Sequence, residues 1–169
     1  GAIGVRADRG HRGGFPASST GHESGALGAT TVRVVFDKNV VVAGARWRGE
    51  SFLCLVALAR RRVQAVASAW ILEEIHRTVT SLQARNTFKR HDPWPIVHWF
   101  SDTARLVAPA PLGKQRSRDS GDDPFLAAAL GAGAKVIVSL DADLLALGRP
   151  FGVEIITPRQ LLSRLQRPL

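Results

Sequence analysis

Short β-branched runs alternate with helix-like segments along most of this chain, and that alternation restricts the fold more than any other feature. Val32–Asp37 reads VRVVFD, Val63–Ser68 reads VQAVAS, Lys135–Ser139 reads KVIVS and Val153–Ile156 reads VEII. Each is short and apolar enough to be a strand buried on both faces, and Arg105–Ala108 is a further short candidate. Between them lie the predicted helices. Glu50–Arg61 ends on basic residues, which favour a helix C-terminus. Ala69–Arg85 is long, and Trp94–Ala104 follows Pro93 and contains Pro95. Pro124–Gly131, Ala142–Leu147 and Arg159–Leu165 complete the set. Strands separated by helices pair in parallel, so the pattern predicts an α/β fold with helices on both faces of the sheet.

The 169 residues suffice for one domain, and a hydrophobic fraction of 45% supplies a core. Residues 1–30 are expected to stand outside it as a flexible tail. They hold 8 of the 16 glycines and show neither a strand nor a helix period. The folded unit is then 31–169. Lys and Arg number 23 against 14 Asp and Glu, a net charge of +9 that favours an anionic partner, nucleic acid first. Of the 23 basic residues 19 are Arg, which suits bidentate phosphate contacts. No stretch approaches the ~20 apolar residues of a spanning helix, and no secretory signal is visible, so a cytoplasmic location is expected. Cys54 is the only cysteine, which excludes an intrachain disulfide and a cysteine metal cluster.

The acidic minority is more informative. Asp37 ends the first predicted strand, and Asp141 and Asp143 follow KVIVS directly. Ligands of open parallel sheets bind beyond the carboxyl ends of the strands, where strand order reverses. Asp37 starting a turn and Asp141 capping a helix are equal alternatives. On the helix 69–85, Ile71, Leu72, Ile75, Val79 and Leu82 define an apolar stripe. Glu73 lies almost opposite it, whereas Glu74 lies at its edge, able to reach a cleft or to form a partly buried salt bridge. Asp123 precedes Pro124 and reads as an N-cap whose side packs inward; Asp119 and Asp122 read as solvated loop. Four carboxylates from four segments, Asp37, Glu74, Asp123 and Asp141, could converge. Such a cluster cannot ionise fully without a cation, and hard oxygen ligands suit Mg²⁺ or Mn²⁺, ions that assist phosphodiester cleavage.

Three segments carry a family resemblance. VVFDKNVVV resembles the first-strand motif of PIN domains, SAWILEEIHRTV resembles their Ser-x-x-Ile-Leu-x-Glu helix, and DDPFLAAALGAGAKVIVSLDADLLAL is similar to the C-terminal block of members regarded as toxin components of toxin–antitoxin systems. Order and spacing agree across roughly residues 31–166. The resemblance implies a three-layer α/β/α fold with a mostly parallel sheet and a Mg²⁺/Mn²⁺-dependent endoribonuclease. It implies metal ligation and catalysis by Asp37, Glu74, Asp123 and Asp141, with Asp143 auxiliary and Asn39 and Ser139 supporting. It also implies a homodimer and inhibition by a cognate antitoxin. The alternative is a non-catalytic PIN-fold module that binds RNA or protein. Lys38 departs from the pattern, standing where the family usually has Thr or Ser. Its ammonium could pair with Asp37 and weaken metal binding, or could contact substrate phosphate.

Other signals are weaker. Arg116 and Arg118 are the preferred substrate contacts. Glu73 and His76 have the spacing of a di-iron pair but lack its second copy. Trp94 and Trp99 can stack on bases, but core packing or a dimer contact is the favoured reading, and Arg60–Arg62 reads as a solvated helix end that could also hold RNA backbone. Gly131-Ala-Gly133 lacks the Lys of a phosphate loop and reads as a helix stop. Cys54 reads as core.

Overall fold

The computed structural model describes residues 31–89, 91–113 and 123–167. The glycine-rich stretch 1–30, together with Arg116, Arg118, Asp119 and Asp122, lies outside the described residues. The strands are β1 (Val32–Phe36), β2 (Val63–Ala67), β3 (Arg105–Leu106), β4 (Val136–Val138) and β5 (Glu154–Ile156). The helices are α1 (Lys38–Arg46), α2 (Glu50–Ala59), α3 (Ala69–Ala84), α4 (Trp94–Thr103), α5 (Asp123–Ala132), α6 (Ala142–Leu145) and α7 (Pro158–Gln166). All strand pairs are parallel, in the order β3-β2-β1-β4-β5. This is a three-layer α/β/α fold, as the alternation predicts.

Central position explains strand composition. β1 is paired on both edges, and its Val34, Val35 and Phe36 are buried. A strand covered on both faces can be apolar throughout. The edge strand β3 is only two residues long, and both are exposed. In α3 the stripe falls where the helical period places it: Ile71, Ile75 and Val79 are fully buried and Glu73 is exposed. The Ser68 hydroxyl caps this helix by accepting the Ile71 N–H at 3.3 Å. α5 presents Ala127, Ala128 and Ala129 to the core, small side chains that let the helix lie close against β1, β2 and β4.

The sequence pattern predicts no helix over residues 38–46, where α1 lies. Val40, Val41 and Val42 are β-branched and suggest a strand that continues. Instead the chain turns after Asp37, and Val40, Val41, Gly44 and Ala45 form the buried face of a helix. Burial against neighbouring helices outweighs a helix propensity that β-branching lowers only slightly. α5 opens one residue before the proline-based boundary, so Asp123 sits in its first turn rather than just ahead of it. Among the described residues, no helix is long and apolar enough to cross a membrane.

The Gly131–Gly133 pair has two separate roles. Gly133 takes φ +63°, the left-handed conformation that ends α5. Gly131 lies inside the helix, where a Cβ would stand 2.0 Å from the Ala108 carbonyl oxygen. The Ala110 N–H donates to Ala127 O across the same contact. Gly131→Ala is therefore expected to force the 107–110 segment off α5, at a cost of about 1–3 kcal/mol. Urea unfolding checks this; unchanged stability would show that the segment moves without loss.

Candidate metal-binding carboxylate site

Strand order reverses at β1, which is flanked by β2 on one side and β4 on the other. The carboxyl ends of β1 and β4 lie side by side, with Phe36 paired to Val138. The next residue in each strand is polar. Asp37 continues the ladder by donating its N–H to Val138 O at 2.9 Å, and Ser139 donates its own to Ile156 O at 2.9 Å. Asp37 is only 2% exposed and Ser139 is fully buried. The Ser139 hydroxyl donates to Asp37 Oδ2 at 2.8 Å and accepts the Asp141 N–H at 3.0 Å. One hydroxyl thus sets both the Asp37 carboxyl and the backbone from which Asp141 projects.

Asp141 also realises its bland alternative, since its Oδ1 accepts the Asp143 N–H at 2.8 Å and caps α6. The two roles are compatible because Asp141 still acts on Asp37 through space. Burial pushes the Asp37 carboxyl above its ordinary range, and the Asp141 charge adds to that rise. The Ser139 hydroxyl, the Asn39 backbone N–H and the Lys38 ammonium oppose it without cancelling it. Asn39 itself is exposed, so its support for Asp37 comes from its backbone. A buried carboxyl beside a second one is stabilised in its ionised form by a cation.

Glu74 occupies the edge position that the helical wheel gives it, and its side chain is 16% exposed. Its carboxylate is engaged. Lys38 Nζ lies 2.9 Å from Oε1 and Arg77 lies 3.0 Å from Oε2. Lys38 thus pairs with Glu74 rather than with Asp37, and the partly buried salt bridge is the arrangement present. Asp123, half-buried, lies at the start of α5, and Phe125, two residues on, meets Trp70 of α3 edge to face at 5.8 Å. Both helices therefore begin near one another.

Donor chemistry at Asp37 and Asp141 fits a hard divalent cation: two carboxylates that act on each other through space, that of Asp37 buried and raised in pKa. Assembly is less complete. Among the described residues, no group of three or more His, Cys, Asp or Glu side chains forms a ready metal site. Glu74 is held by its two cations.

The weaker signals resolve as packing. His76 Nδ1 lies 2.7 Å from Leu72 O, and its ring stacks with Trp94 and His98. Trp94 and Trp99 pack against the core. Arg60, Arg61 and Arg62 are exposed at the end of α2. Cys54 is buried, its thiol pushed up to about 12 by burial and by Glu50, which removes it as a nucleophile.

The family model for the PIN domain matches residues 33–143, a span that runs from β1 through the first turn of α6. The chain belongs to the PIN domain family. PIN domains are generally nucleases that use divalent metal ions. The fold of this PIN domain is similar to that in the crystal structure of PAE2754 from Pyrobaculum aerophilum. The TM-score is 0.56 at 19% sequence identity, over 83% of this chain and 93% of that one. At that identity the likeness concerns the fold alone. No curated protein matches in sequence.

Ser139→Ala is expected to keep the fold and to lower divalent-metal affinity about 10–100-fold, the usual effect of removing a group that orients a ligand. Manganese titration by calorimetry checks it, and an unchanged affinity would reduce Ser139 to a structural hydroxyl.

Proposed function

We propose that this PIN domain is a Mg²⁺- or Mn²⁺-dependent endoribonuclease, the toxin of a type II toxin–antitoxin pair, active as a homodimer and restrained by a cognate antitoxin. The buried Asp37 carboxyl, raised in pKa beside Asp141 at the point where strand order reverses, is the observation that carries this reading. A carboxyl is costly to bury there, and packing alone gives no reason to keep it. In this reading Asp37 and Asp141 hold the cation, Asp123 joins from α5, and Glu74 joins once Lys38 lets go. Asp143 is auxiliary. A bound divalent ion supplies an activated water and neutralises charge that develops on the phosphodiester.

The chain's own residues do the positioning. Ser139 fixes the Asp37 rotamer, and the Asn39 N–H steadies its charge. Lys38, about one-third exposed, is placed to meet substrate phosphate when it leaves Glu74. Arg116 and Arg118 are proposed as further phosphate contacts. The net charge of +9 supports an RNA substrate by concentrating polyanion at the surface.

One observation favours a second reading, a module that binds RNA or protein without cutting: Glu74 is saturated by Lys38 and Arg77. Incubation of a structured RNA panel with the full chain in Mn²⁺ and in EDTA decides between them. Cleavage in Mn²⁺ alone supports the nuclease. Intact RNA in both conditions favours the binding module. Growth arrest on expression, relieved by a co-expressed neighbouring gene product, tests the toxin role.

A further inference from the structure

At the far end of α1 from Asp37, the surface opens into two adjoining clefts of about 360 and 440 Å³. Arg46, Trp47 and His91 line both. Lys89 adds a cation to the first, and Arg48 and Phe52 line the second. Trp47 is 57% exposed. The Arg46 guanidinium lies over its indole at 4.0 Å, and that of Arg48 lies over Phe52 at 5.9 Å. None of Arg46, Arg48 and Lys89 forms an ion pair with a described carboxylate. Asp92 also lines the larger cleft, where its Oδ1 accepts the Trp94 N–H at 3.0 Å.

Cations without a carboxylate partner among the described residues, set around an exposed aromatic side chain, have the composition of a single-stranded nucleic-acid groove. There bases stack on rings while Arg and Lys follow the backbone. A protein partner seeking burial would favour the neighbouring apolar recess at Leu55, Val56 and Trp99. A duplex would offer phosphates but no base face to Trp47.

We infer that this cleft is a subsite for single-stranded RNA, with a base stacked on Trp47 and the flanking phosphates held by Arg46, Arg48 and Lys89. This rests on the reading of the chain as a ribonuclease. The nine residues of α1, at about 1.5 Å of rise each, separate Asp37 from the cleft by roughly 14 Å. A flank a few nucleotides from the scissile bond therefore reaches Trp47, and the cleft selects unpaired RNA beside the cut.

The test uses the full chain in EDTA and a fluorescein-labelled oligoadenylate, read by anisotropy. Wild-type protein should bind it and should prefer it to a duplex of equal length. Trp47→Ala should weaken binding about tenfold, the worth of one stacked base, while Trp47→Phe retains most of the affinity. Arg46→Ala should lower the salt dependence by nearly one counterion. Thermal melting of each variant separates lost binding from lost folding. Equal binding by Trp47→Ala, equal affinity for duplex, or no binding by wild type would overturn the subsite. Mn²⁺-dependent cleavage by wild type, measured in parallel, would in each of those cases leave the nuclease reading standing.

Discussion

Asp37→Asn is expected to abolish Mn²⁺-dependent RNA cleavage, by 100-fold or more, while making the metal-free protein more stable at neutral pH. The opposed signs arise from one feature. The Asp37 carboxyl is buried and held above its ordinary value of 3.8 by burial and by Asp141. The native state therefore binds this proton more tightly than the unfolded chain does. The contribution of Asp37 to native stability is therefore fully present below 3.8 and is lost as pH rises through the raised value, where the folded protein must carry a buried charge. Asparagine is uncharged and keeps an oxygen to accept the Ser139 hydroxyl, so the substitution removes that cost without opening a cavity. In EDTA the variant should melt above wild type at neutral pH, and the gap should close as pH falls. Mn²⁺ should raise the wild-type melting temperature by mass action and leave the variant unmoved. A variant that melts below wild type throughout the pH range would mean that the Asp37 charge is structurally satisfied.

Lys38→Thr is expected to strengthen Mn²⁺ binding on the order of tenfold, because it removes a cation beside Asp37 and frees one oxygen of Glu74. Arg77 then remains as the only cation paired to Glu74 among the described residues. Both partners are partly screened, with Lys38 at 32% exposure, so the gain is smaller than the contact distance alone suggests. Calorimetric titration of both proteins with Mn²⁺ measures it directly. If Lys38 instead serves as a phosphate contact, the variant gains metal affinity but loses RNA affinity in EDTA. Unchanged Mn²⁺ affinity would show that Glu74 takes no part in the metal site.

The parallel sheet was legible because buried parallel strands are near-continuous apolar runs: VRVVF and VQAVA carry one polar residue each, and VIV carries none. Glu74 was separable from Glu73 because Ile71, Ile75 and Val79 fix one face of α3. α1 escaped because Val40–Val42 carries a strand-like local preference, and its helical state is imposed by packing. The charge pairing was equally hidden. Lys38 stands beside Asp37 in sequence, yet its flexible stem carries the ammonium to Glu74, 36 residues away. No local pattern encodes that choice. The basic cleft was invisible for the same reason: Trp47 and Arg48 follow α1, whereas Lys89 and His91 come from the segment before α4. Only the fold joins them.

If Asp37 and Asp141 form the base of a divalent-metal site, the two proteins separate on titration of metal-free wild type and of Asp37→Asn with Mn²⁺, followed by calorimetry at neutral pH. Saturable binding by wild type that is lost in the variant is the expected result. Equal heats from the two proteins, or no binding by either, would contradict it.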